Sequence, residues 1–235
     1  MAYIEYITLE DFRLAKMPKE TALIDGTGDG SLILGYIRNV SRIIDRVSGH
    51  CFAPIKDTKY YDAIKDVGGN TLRVTDLLEV FTITNGDTTT VASTSYVFEP
   101  RGDPPYYGIT LLGSSGLSWT YTTDPENAIS LNNCYWGYHD DYENAWELLT
   151  TLGAAITTTT ATSATLTTGI GNPGELLKID SELLYLSARA TTAATIVRGV
   201  NHSTAATHLI NAPIYRWRPM REIAGLCLAA TSIQY

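Results

Sequence analysis

A chain of 235 residues with 44% hydrophobic and 10% aromatic content can build one large globular domain or two small ones. Its formal charge of −8 and isoelectric point near 4.9 argue against a protein that wraps nucleic acid, because neutralising phosphates requires a net basic surface. No run approaches the roughly 18 apolar residues of a membrane helix, and Cys51, Cys134 and Cys227 are too few and scattered for a disulfide framework or a Cys-x-x-Cys site.

The opening Met-Ala-Tyr-Ile-Glu-Tyr lacks the basic and apolar regions of a secretory leader, so synthesis and assembly in cytoplasm are expected. Thr8-Leu9-Glu10-Asp11-Phe12 reads as a helix start: Thr8 caps it, and the carboxylates meet the positive end of the dipole. Pro18 should stop this helix. Residues 25–30, Asp-Gly-Thr-Gly-Asp-Gly, form an acidic loop. The spacing of Asp25, Thr27 and Asp29 hints at calcium, but no Glu stands at the twelfth position and no metal is expected there.

Ser31 to Gly49 is the most strongly patterned stretch. Ile33, Ile37, Val40, Ile44 and Val47 alternate at spacings of four and three, which stacks them on one face of a helix. Arg38, Arg42, Asp45 and Arg46 take the other side, Asp29 or Ser31 can cap the start, and Gly49 suits a left-handed C-terminal cap. Short strands follow at Thr58–Asp62, Thr71–Thr75, Leu77–Thr84, Val91–Phe98, Tyr107–Leu112 and Asn127–Trp136, rich in β-branched and aromatic residues. Asn85-Gly86-Asp87 is a hairpin turn. The pairs Leu72 and Val74, Ile109 and Leu111, and Ile129 and Leu131 each share a strand face, predicting a half-buried antiparallel sheet against the long helix.

Asp140 to Leu152 reads as a helix with Ala145, Leu148, Leu149 and Leu152 on its apolar face. A threonine-rich run then begins, which marks a domain boundary. Strands are expected at Ala164–Thr168, Leu176–Ile179, Glu182–Leu186, Thr195–Arg198 and Pro213–Trp217. A last helix, Pro219–Gln234, carries Met220, Ile223, Cys227 and Ala230 on one face and should pack beside the long helix. The expected fold is therefore α+β: a helical bundle with an antiparallel β-sheet from residues 1–152 plus 217–235, interrupted by a small all-β insertion domain at 153–216.

Converging catalytic groups are not expected. His50, His139, His202 and His208 fit no metalloprotease or zinc-finger spacing, and His202 and His208 read as turn or barrel-surface residues. Asp140, Asp141 and Glu143 suggest helix capping more than a glycosidase pair, and Arg101-Gly102-Asp103 a turn more than an adhesion motif. Tyr185, Tyr215 and Trp217 are flat enough to stack on sugars, although filling a small β core is their commoner use. The chain reads as no enzyme, with no cofactor.

The order of features resembles the head-tail connector, or adaptor, family of tailed bacteriophages. Tyr6-Ile7-Thr8-Leu9-Glu10-Asp11-Phe12, the segment Ile37 to Phe52 ending Ser41-Arg42-Ile43-Ile44-Asp45-Arg46-Val47-Ser48-Gly49-His50-Cys51-Phe52, and Leu77-Leu78-Glu79-Val80 before Thr84-Asn85-Gly86-Asp87 carry the resemblance. Tyr96, Pro104-Pro105-Tyr106, Ile109 to Leu111 and Trp136-Gly137-Tyr138 add to it. The match spans Met1 to about Leu152 and resumes at Pro219. The intervening residues resemble a small phage structural module through Gly174 to Glu182, Val197 to Asn201 and Ala205 to His208.

The resemblance implies a structural protein of the virion, assembled in the host cytoplasm. Its copies would form a ring, usually of twelve, beneath the portal and join it to the tail or next neck protein, with DNA passing through unbound and no membrane involved. In such a ring Arg38, Arg42 and Arg46 are the candidate subunit interface, and the terminal Thr231, Ser232, Ile233, Gln234 and Tyr235 the candidate portal contact. The alternatives are a β-domain module that recognises a host surface or carbohydrate, a hydrolase built on the acidic cluster, and a tail-completion protein.

Overall fold

The computed structural model describes residues 5–16 and 29–234; Pro18, the loop positions Asp25 and Thr27, and Tyr235 lie outside them. The chain divides into two compact units, Met1–Ala53 with Asn144–Tyr235, and Pro54–Glu143. The fold is mostly β, with two antiparallel sheets and three helices. That corrects the expected helical bundle with a small β insertion. One source of the error is Asp140 to Leu152: residues 146–151 form a strand whose pairing partner, residues 213–217, lies over sixty positions away. Apolar runs this short have no decisive period, and distant pairing overrides local preference.

The Pro54–Glu143 unit holds β1 (Ile55–Tyr61), β2 (Val67–Gly68), β3 (Thr71–Glu79), β4 (Thr82–Thr84), β5 (Thr90–Val91), β6 (Tyr96–Glu99), β7 (Tyr106–Leu111) and β8 (Ile129–Trp136). They join in the order β5-β4-β8-β3-β7-β6, with β1 on β8 and β2 on β3. The three expected face pairs are all buried, and with Leu77, Ile83, Val91 and Trp136 they form the unit's core. Asn85 does turn the chain, accepting from the Thr88 amide at 2.9 Å.

The other unit carries α1 (Leu9–Lys16), α2 (Asp29–Ser48), β9 (Trp146–Thr151), β10 (Ser163–Thr165), β11 (Leu176–Ile179), β12 (Glu182–Ala190), β13 (Ala193–Val197), β14 (Pro213–Trp217) and α3 (Arg221–Gln234). Its strands run β10-β13-β12-β11-β14-β9. The end of β9 then returns to β10: the Gly153 amide donates to the Thr165 carbonyl at 2.8 Å, and the Thr167 amide to the Thr151 carbonyl at 2.9 Å. The threonine run has its use here, since hydroxyl pairs Thr150–Thr168 and Thr151–Thr167, each at 2.8 Å, line this closing seam. Inside lie Leu152, Ile156, Leu166, Leu177, Leu184, Leu186, Ile196 and Ile214.

Thr8 caps α1 as expected, accepting from the Asp11 amide at 3.1 Å while Asp11 accepts from the Thr8 amide at 2.7 Å. In α2, Ile33, Ile37, Val40 and Ile44 are buried, but Val47 is 82% exposed. Gly49 closes the helix at φ +75°, a conformation glycine adopts without strain. The long helix packs on α1 and α3. Ser41 Oγ lies 3.6 Å from Cys227 Sγ, which confirms the pairing of α2 with α3. Ile37→Ala should cost about 2–5 kcal/mol in urea unfolding, whereas Val47→Asp should stay within about 0.5 kcal/mol.

Candidate functional site

The arginines of α2 do not act alike. Arg38 is committed within its own chain: its Nε donates to Glu5 at 2.7 Å and a terminal nitrogen donates to the Tyr185 hydroxyl at 3.1 Å. Tyr185 donates in turn to the same Glu5 oxygen at 2.8 Å, which fastens the segment before α1 to both α2 and β12. Burial pushes the Glu5 carboxyl above the usual range, and the Arg38 and Tyr185 hydrogen bonds offset only part of that. Arg42 and Arg46 are exposed and line a shallow cleft of about 500 Å³ with Asp45, Gly49, His50 and Cys51. The Tyr6 hydroxyl donates to Asp45 and accepts from the Phe52 amide at 3.0 Å, pinning the end of α2. Of the three arginines, two therefore present an outward charged surface.

The C-terminal residues also divide. Thr231 is fully buried, and the Ser232 hydroxyl donates back to the Leu228 carbonyl at 2.6 Å. Ile233 is 86% exposed and Gln234 is exposed, while Tyr235 lies outside the described residues. More telling is α3 as a whole. No charged residue occurs from Ile223 to Gln234, yet only Cys227 and Thr231 are buried and Leu226 is 52% exposed. A helix apolar around most of its circumference needs cover on more than one side. On α2, Leu32, Ile43 and Val47 are exposed too, as is Leu14 on α1.

The barrel holds a polar cluster that sequence reading missed. Glu182, 1% exposed, accepts from Arg198 through both oxygens at 2.7 Å, from the Gly199 and Ala206 amides at 3.0 and 2.9 Å, and lies 2.8 Å from His208 Nε2. His208 Nδ1 lies 2.8 Å from Asp180. His208 is thus a buried member of a network, which corrects its reading as a turn or surface residue. Asp180-Ser181-Glu182, Arg198-Gly199 and His208 were all visible, but nothing local shows that a hairpin brings them together. Burial alone would raise the Glu182 carboxyl; the hydrogen bonds from Arg198, Ala206, His208 and Gly199 outweigh it and hold it below the ordinary value.

Elsewhere, Tyr185 and Trp217 are buried, so two of the three proposed sugar-stacking rings offer no face. Asp140 and Asp141 are exposed, and His139 accepts from the Asp141 amide at 3.1 Å. Among the described residues, no group of three or more His, Cys, Asp or Glu is arranged to hold a metal ion. Comparison with protein-family models, curated proteins and solved structures finds no match to the chain.

Arg198→Ala leaves Glu182 buried without its cation and should cost about 3–5 kcal/mol in thermal or urea unfolding. A depressed carboxyl stabilises fully above its unfolded value near 4.5 and loses that contribution as pH falls through the lower folded value. Melting temperatures followed by circular dichroism from about pH 7 down to 3 should therefore fall more steeply for the wild type than for Glu182→Gln.

Proposed function

We propose that the chain is a structural head-tail connector subunit of a tailed phage, forming a ring beneath the portal that joins head to tail and continues the DNA channel. The observation that carries this is α3, uncharged from Ile223 to Gln234 and with Leu226 and Ile233 open to solvent, beside an α2 that also exposes Ile43 and Val47. Isolated soluble subunits rarely leave so much of a helical layer apolar and uncovered; assembly covers it. A ring brings two different faces of each copy together, so each copy must carry two surfaces that complement each other.

The resemblance in residue order supplies the particular assembly, and the acidic net charge suits a channel wall along which DNA slides without being held. Arg42 and Arg46 remain the outward arginines suited to a subunit contact, with Arg38 acting inside the subunit. The exposure of Ile233 and Gln234 supports a portal contact by the C-terminal segment. The function is mechanical, and no bond is made or broken.

Leu226→Glu and Ile233→Glu change exposed positions and should alter subunit stability by no more than about 0.5 kcal/mol. Mixed with the cognate portal and sedimented, both variants should lose most of the co-sedimenting protein that the wild type shows. Equal recovery of wild type and both variants would remove the helical layer from the assembly.

A further inference from the structure

Two buried carboxyls of the helix-bearing unit are each left with one oxygen unmatched. Glu5, in the segment before α1, accepts from Arg38 and Tyr185 through Oε1, and Glu175, just before β11, accepts from Arg216 through Oε1 at 3.4 Å. Among the described residues neither Oε2 has a hydrogen-bond partner, although the side chains are only 2% and 9% exposed. Both residues line one cavity of about 90 Å³, with Thr8, Asp11 and Gly174 among its other walls. A Cβ on Gly174 would come within 2.9 Å of Glu5 Oε2, so the glycine leaves that oxygen its room. Thr8, Arg216 and Arg218 also line the cavity but give hydrogens elsewhere. The Thr8 hydroxyl donates to Asp11 at 2.7 Å, Arg216 Nε donates to Glu147 at 2.8 Å, and Arg218 donates to the same Glu147 carboxylate. From α3, the Cys227 thiol lies within electrostatic reach of Glu5, and burial pushes its ionisation up, which keeps it neutral.

We propose that Glu5 is a proton-operated clasp: it takes up a proton at Oε2 as the chain folds, and the neutral carboxyl holds the segment before α1 more firmly than the anion does. A buried carboxylate oxygen without a donor is costly, and such groups ordinarily neutralise instead. Burial pushes the Glu5 carboxyl up, with Arg38 and Tyr185 offsetting only part of the rise, and it does the same at Glu175, where the Asp11 charge adds to it. The neutral acid keeps Oε1 as the acceptor for Arg38 and Tyr185, so the bridge from helix to barrel survives the proton. An unfolded glutamate titrates near 4.5; the clasp is therefore fully held below that pH and loosens as pH rises through the higher folded value. Glu182, with donors on both oxygens, responds in the opposite sense. Acid weakens the barrel network and tightens the N-terminal clasp within the same unit.

Nuclear magnetic resonance of the intact chain with isotope-labelled glutamate tests it, following the side-chain carboxyl carbons as pH is changed. The Glu5 midpoint should lie above 4.5 and the Glu182 midpoint below it. Protection of the Tyr6 amide, which donates to Ser41 Oγ at 3.2 Å, should fall as pH rises through the Glu5 midpoint, once the intrinsic exchange rate is divided out. That fall should shrink several-fold in Glu5→Gln. A Glu5 midpoint at or below 4.5 means that Oε2 is met as an anion, and it overturns the clasp. Tyr6 protection that does not follow the Glu5 midpoint overturns it too, and wild-type protein gives that result even where the variant does not fold.

Discussion

Burial of Ile33, Ile37, Val40 and Ile44 along one side of α2 is the interaction on which the helix-bearing unit depends. Each such side chain is worth roughly 1.5–3 kcal/mol when fully buried, and together they fix which way the helix faces. With that side committed to α3 and the segment before α1, Arg38 falls onto Glu5 and Tyr185 and ties helix to barrel. Arg42, Arg46, Ile43 and Val47 are left facing out. The same constraint that builds the fold therefore creates its surface.

The two sheets solve their edges differently. The barrel spends its threonines on closure, with Thr150–Thr168 and Thr151–Thr167 bridging the last gap and the buried Glu182 pinning the hairpin loop through Arg198, His208 and two amides. A closed sheet with a satisfied ionic centre has no edge to offer a partner. The other sheet does not close: among the described strands its order ends on β5, which pairs β4, and on β6, which pairs β7.

Much of this was legible in the residues. The α2 stripe, the Thr8 cap, the Gly49 stop, Leu176–Ile179 and Pro213–Trp217 match the structure, because each depends on period or cap chemistry confined to a few positions. Val47 fitted the stripe and is exposed all the same, in the last turn of α2. Residues 146–151 misled because their partner strand lies far along the chain, and with them went the helical-bundle assignment. The Glu182 network was out of reach for the same reason: Asp180, Arg198 and His208 converge only once β12 and β13 have paired. Of the candidate site, period correctly placed Arg42 and Arg46 on the outer side of α2, but no local signal showed that Glu5 would claim Arg38.

The central claim is that the uncovered helical layer is an assembly surface within a ring. A single-particle reconstruction of the protein bound to its cognate portal tests it most directly. The account predicts a ring coaxial with the portal in which Leu226 and Ile233 of α3 are buried against a neighbouring protein. A complex in which α3 stays exposed to solvent, or a protein that remains a free monomer beside the portal, would contradict it.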